Sequence, residues 1–140
     1  MENLESNLQS NESIYINDEI KIYLSETAKW AKFLSILGFI GLGLLVLIPL
    51  IISITFNEPT FSLIAIIYII IAIVYIIPIN YLYIFSTNIK RGINSNNQEL
   101  ITSGLKNLKS HYKFIGILTI VIVSIYILIF LIPVLLFAIR

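Results

Sequence analysis

Apolar residues gather into three long stretches, Phe33 to Phe56, Phe61 to about Phe85, and Phe114 to Ile139, none of which contains Asp, Glu, Lys, Arg or His. Each reaches the roughly 20 residues needed to cross a hydrocarbon core about 30 Å thick. At a helix centre each Leu, Ile, Val or Phe favours insertion by about 0.3 to 0.6 kcal/mol, so a dozen outweigh the scattered Ser, Thr and Asn. The pattern predicts an all-α membrane protein with three transmembrane helices running up, down and up.

Outside these stretches the apolar period narrows to a stripe. Ile20, Leu24, Thr27, Ala28 and Ala31 share one helical face, with Lys21, Glu26, Lys29 and Lys32 largely off it. Leu82, Phe85, Ile89 and Ile93 carry a stripe beyond the second span, and Ile101, Leu105, Leu108 and Tyr112 carry one ahead of the third. An amphipathic segment can lie in the interface or project and pack its stripe on other helices. Nothing from Asp18 to Ile48 obliges a bend, and Pro49 is the first residue placed to kink the helix. The missing breaker favours projection, so the amphipathic extensions are expected to meet as a small cytoplasmic bundle.

Local signals set the ends of these elements. Residues 1–16 are polar, rich in Asn and Ser and without an apolar period, and are expected to be disordered. Residues 17–140 then form a single three-helix domain, started by Asn17 or Asp18 as N-cap. Residues 86–113 form a helical hairpin turning at "NSNNQE", with Ser95 and Gln98, or Asn96 and Glu99, as the capping pair.

Charge supplies the orientation. Lys21, Lys29 and Lys32 precede the first span, and Lys90, Arg91, Lys106, Lys109 and Lys113 lie between the second and third, while Arg140 alone falls on the other side. Basic residues near span ends are retained in the cytoplasm, so the N-terminus and the central loop are expected there. The "NEPT" turn, residues 57–60, then faces outward. Lys90, Arg91, Lys106, Lys109 and Lys113 are also expected to anchor the loop on anionic lipid, at roughly 1 kcal/mol each.

Composition agrees with the membrane reading. Hydrophobic residues are 58% of the 140 and charged ones 12%, about half the charged share of a soluble domain. Cysteine is absent, which excludes disulfides, thiol catalysis and thiolate metal sites. No secretory signal precedes the first span, which follows some thirty polar residues and is expected to stay in the protein.

Groups that carry chemistry are scarce. Proton relays, ion-coupled transport and voltage sensing place ionisable residues at membrane depth, and the spans hold none. His111, between Lys109 and Lys113, is expected to face solvent or headgroups. No catalytic, cofactor-binding or metal-ligating set is visible, and no nucleic-acid partner is expected. Two intramembrane features remain. Ala28, Ala31, Ser35, Gly38 and Gly41 form a small-residue face on which another helix can pack closely. In "IIPIN" Pro78 deprives the Val74 carbonyl of its helical donor, which leaves a kink, or a notch beside Tyr75 and Asn80.

The runs "YLSETAKWAKFLSILGFIGLG" from Tyr23, "YLYIFS" from Tyr81 and "LKNLKSHYKFIGIL" from Leu105 together resemble a family of small bacterial integral membrane proteins, uncharacterised and catalogued as a domain of unknown function. The resemblance covers most of the chain after about Ile20. It implies the cytoplasmic membrane of a bacterium and no activity, cofactor or site residue. The expected function is therefore a non-catalytic accessory, scaffold or interaction subunit in contact with the lipid bilayer, a membrane-protein partner or further copies of itself. The alternative is a small oligomeric pore or transporter subunit lined by Ser53, Tyr68, Tyr75, Asn80 and Ser124. An enzyme is not expected.

Overall fold

The computed structural model describes residues 17–138, with side chains as far as Pro133. The polar segment 1–16 and Arg140 lie outside the described residues. Three helices account for nearly everything else: α1 (Asp18–Phe56), α2 (Pro59–Asn94) and α3 (Gln98–Ala138). They contain 39, 36 and 41 residues, which at 1.5 Å per residue makes them about 54 to 62 Å long. Each has an apolar window long enough to cross a membrane, and the chain is an all-helical, multi-pass membrane protein. Each helix is also about twice as long as a bilayer core is thick, so its charged and its oily segment share one unbroken rod.

The ends are set by local chemistry. The side chain of Asn17 accepts the amide of Ile20 at 2.8 Å, satisfying one donor that the first turn leaves orphaned. Asn57 ends α1 in the left-handed region at φ 48°, its amide bonded to the Ser53 carbonyl. Pro59 opens α2, where its fixed φ suits the first turn and its missing N–H costs nothing. At the second turn the sequence expectation is corrected. Asn97 is the cap of α3, its side chain accepting the Leu100 amide at 3.1 Å. Ser95 donates its hydroxyl backward to the Arg91 carbonyl. Asn96 is left-handed at φ 49°, a conformation Asn tolerates and an extended N-cap residue does not adopt.

Consecutive helices are antiparallel, and α2 lies between the other two. Along α1 and α2 the contacts run from Ser53 with Ser62, whose hydroxyls are 3.0 Å apart, through Gly38 beside Ile79, to Ala28 and Ala31 packed with Phe85 and Ile89. Along α2 and α3 they run from Gly92 beside Ile101, through Asn88 and Ser103, to Pro78 and His111. No backbone-to-backbone approach joins α1 and α3 among the described residues.

The core is small and sits at the basic end. Phe85 and Ile89 of α2 are fully enclosed, with Ala28 and Ala31 from α1, Ile101 from α3, and Leu24, Leu82, Ile93 and Leu108 around them. The far half of α3 has no share in it, since every residue from Thr119 to Pro133 is exposed.

Candidate interaction site

The basic end is where the three helices are tied together, and small residues make the ties possible. A methyl group added at Gly92 would lie 2.7 Å from the Ile101 side chain and 2.9 Å from its amide nitrogen. One added at Gly104 would lie 2.9 Å from the Ile89 side chain. Both glycines therefore mark places where α2 and α3 approach closer than any Cβ permits. Across the same seam the Asn88 amide donates to the Ser103 hydroxyl at 3.2 Å. Ser35 and Ser86 are buried between α1 and α2, each donating to a carbonyl one turn back on its own helix, Lys32 and Tyr83, at 2.8 Å.

The small-residue face of α1 is turned toward α2 over most of its length. Ala28, Ala31 and Ser35 are buried, and a Cβ at Gly38 would come within 3.1 Å of the Ile79 side chain. Gly41 departs from the sequence reading: it is exposed, with nothing within 4 Å of a Cβ built on it. The packed row continues through half-buried Leu42 instead, because the 3.6-residue period calls for a step of four after Gly38.

His111 is the second departure. It is half-buried, and its Nδ1 lies 2.8 Å from the Pro78 carbonyl oxygen on α2. A carbonyl only accepts, so Nδ1 carries the proton and donates it. Pro78 is fully enclosed, and its neighbours divide. Asn80 lines a cavity of about 320 Å³ with Phe39, Ile76, Ile77 and Tyr81, while Tyr75 is not part of that lining. The cavity beside Asn80 therefore does not extend to Tyr75.

The α3 stripe also differs from its sequence reading. Ile101 and Leu108 face the core, but Leu105 and Tyr112 are exposed. Gly104 and His111 take their places, one step earlier on the helix. Neither residue registers as apolar, so a hydrophobic period passes over both. The available signal was a glycine three residues after Ile101 in an otherwise unbroken helix.

The basic side chains Lys90, Arg91, Lys106, Lys109 and Lys113 are all exposed. They do not form one patch. Lys90 and Arg91 stand near the α2–α3 turn, whereas Lys109 and Lys113 flank His111, roughly 10 to 15 Å further down the hairpin at 1.5 Å per residue. Among the described residues there is a single ion pair, Lys21 with Asp18 at 3.2 Å. The other described basic groups form no ion pair with a described carboxylate. Beside them a groove of about 780 Å³ runs along α1 past Lys21, Ser25, Lys29, Trp30 and Phe33 to Ile93.

Polar groups in the oily half do not converge. Tyr68 lines a cavity of about 360 Å³ near Pro49 and Phe61, Ser53 bonds Ser62 beside the turn, and Ser124 donates to the Ile120 carbonyl of its own helix. No group of three His, Cys, Asp or Glu side chains is placed to hold a metal among the described residues. No family model, curated protein or solved structure matches the chain.

Proposed function

We propose that the chain is a non-catalytic accessory or scaffold subunit of a bacterial cytoplasmic membrane, acting by association with a membrane-protein partner or with further copies of itself. The observation that supports this is the third helix. From Thr119 to Pro133 every residue of α3 is exposed, although α3 is held firmly to α2 at its other end. A single chain thus presents a whole helix surface in the bilayer together with a rigid, charged bundle outside it.

The excess of basic residues at the bundle end supports a cytoplasmic location for that end. Single cysteines introduced near Asn57 are expected to react with a membrane-impermeant reagent added to intact cells, and those near Asn96 to be protected. Reversed labelling overturns the orientation. For the association itself, a photo-crosslinking residue at Tyr126 is expected to capture a discrete membrane protein or a second copy in living cells. Capture of lipid alone overturns the reading. Ion or solute flux through reconstituted vesicles would replace it with the pore subunit.

A further inference from the structure

The interhelix contacts fix the relative heights of the helices, and those heights disagree with a bundle standing upright in the membrane. Gly38 of α1 packs on Ile79, and the neighbouring residue, Pro78, accepts the hydrogen bond of His111 on α3. Gly38 and His111 therefore lie at one height along the bundle. Yet Gly38 is five residues inside the oily stretch that begins at Phe33, whereas His111 is three residues outside the one that begins at Phe114. The mismatch of eight residues corresponds to about 12 Å along the helices.

Interfacial side chains repeat the mismatch. The oily stretches of α1 and α3 each open with a Lys-Phe pair, Lys32–Phe33 and Lys113–Phe114, and each has an exposed aromatic just before it, Trp30 and Tyr112. Lysines and amphipathic aromatics settle at headgroup depth. The surface joining the two sets crosses α2 between their heights, at Asn80 and Tyr81. Asn80 is the one amide side chain in the oily part of α2.

We propose that the headgroup layer meets the protein along an inclined belt, from Lys29 and Lys32 on α1 through Asn80 on α2 to Lys109 and Lys113 on α3, where the lysines bind the phosphates of anionic lipids. A mismatch of about 12 Å between helices two spacings of about 9 Å apart corresponds to a tilt of roughly 30°, within the 0 to 40° range of spanning helices. Lysine stems that reach upward take up part of the difference. The opposite end of the molecule runs the same way. α1 and α2 turn back at Asn57, while α3 continues to Ala138, and the greater reach of α3 is what a membrane slab inclined in this direction requires. Lys90 and Arg91 lie about 15 Å along α2 from the point where the belt crosses it at Asn80, beyond a Debye length of about 8 Å from the phosphates there. Their charge is left for something other than the lipid that the lysines hold. The inference rests on the membrane-spanning reading and is independent of the accessory role.

The absence of cysteine makes the test direct. Leu37 and Ser110 share one height in the bundle, so Leu37→Cys and Ser110→Cys, each carrying a fluorophore, are compared in the full-length chain by quenching from lipids brominated at known depths. The vesicles contain phosphatidylcholine and phosphatidylglycerol. The Leu37 label is expected about 10 Å deeper than the Ser110 label. Equal depths overturn the inclined belt. In the same vesicles Lys109→Gln with Lys113→Gln is expected to lower the preference for phosphatidylglycerol over phosphatidylcholine around the protein about fivefold per lysine removed, while Lys90→Gln with Arg91→Gln leaves it unchanged. An unchanged preference in the first pair, or an equal fall in the second, overturns the assignment of lipid phosphates to the belt.

Discussion

The two halves of α3 are one continuous helix and behave as different materials. From Gln98 to His111 the helix is tied to α2 by Ile101, by the close approach at Gly104, by Ser103 and by His111. From Thr119 to Pro133 every residue is exposed, and Phe130 there is 78% exposed. Apolar content does not explain the difference, because the unpacked half is the oilier one. In water an apolar stripe is driven to find another. In lipid a Leu or Ile gains nothing by exchanging acyl chains for a neighbouring helix, and contact follows only where small residues let backbones meet or where hydrogen bonds cross. Helix α1 supplies such a row, from Ala28 to Gly38, and stays on α2 beyond the bundle. The next glycine of α3 after Gly104 is Gly116, and nothing lies within 4 Å of a Cβ placed on it.

The sharpest way to break this contrast is to remove one phenylalanine from each region. Phe85→Ala empties a fully enclosed site and is expected to cost about 3 to 5 kcal/mol, seen as a lowered melting temperature and faster proteolysis in mild detergent. Phe130→Ala, on the exposed half of α3, is expected to leave both unchanged. Equal losses would mean that the outer half is packed as tightly as the bundle. A second pair tests the row of small residues. Gly38→Leu forces a side chain against Ile79 and is expected to cost about 1 to 3 kcal/mol while leaving membrane insertion intact, since Leu favours both helix and lipid. Leu44→Phe, on an exposed face of the same helix, is expected to do nothing. Equal protease resistance of the two variants would show that close packing at Gly38 contributes nothing.

These residues also show which parts of the molecule were legible in the sequence. The three spans and the α2 stripe of Leu82, Phe85, Ile89 and Ile93 follow from composition and period alone, and these residues face the core. The row on α1 was legible as far as Gly38 and lost at Gly41, where counting in threes outran the helical repeat. On α3 the stripe was misplaced by one residue at two of its four positions. A period built from apolar residues passes over Gly104, which packs by what it lacks, and over His111, which packs by a hydrogen bond. The free half of α3 could not be read at all. Lipid-facing and helix-facing surfaces are made of the same Ile, Leu and Val, and only the absence of small residues at regular spacing distinguishes them. The site carried the same limit: the basic residues were visible as a run, but their spacing along the molecule depends on the fold of the hairpin.

The smallest expected effect lies at the boundary between the two halves of α3. His111 is the last hydrogen-bonded tie before α3 leaves α2, and its partner is a carbonyl with two lone pairs, able to serve its own helix and the imidazole together. Removing the imidazole therefore strands no acceptor, and hydrogen bonds between spanning helices average about 0.6 kcal/mol. His111→Ala is expected to cost about that much, a shift close to the resolution of a melting curve. The geometry should respond more than the stability does. With the tie gone, the angle at which α3 leaves α2 is held by packing alone, at Ile101, Gly104 and Leu108 on one side of His111 and at half-buried Phe114, Ile115 and Leu118 on the other. Spin labels at Ile67 and Tyr126, both exposed, are expected to report a broader distance distribution in His111→Ala than in the unmodified chain, with the bundle-end distance from Ile22 to Leu105 unchanged. An unaltered distribution between Ile67 and Tyr126 would place the control of that angle elsewhere, in the packing of Phe114, Ile115 and Leu118.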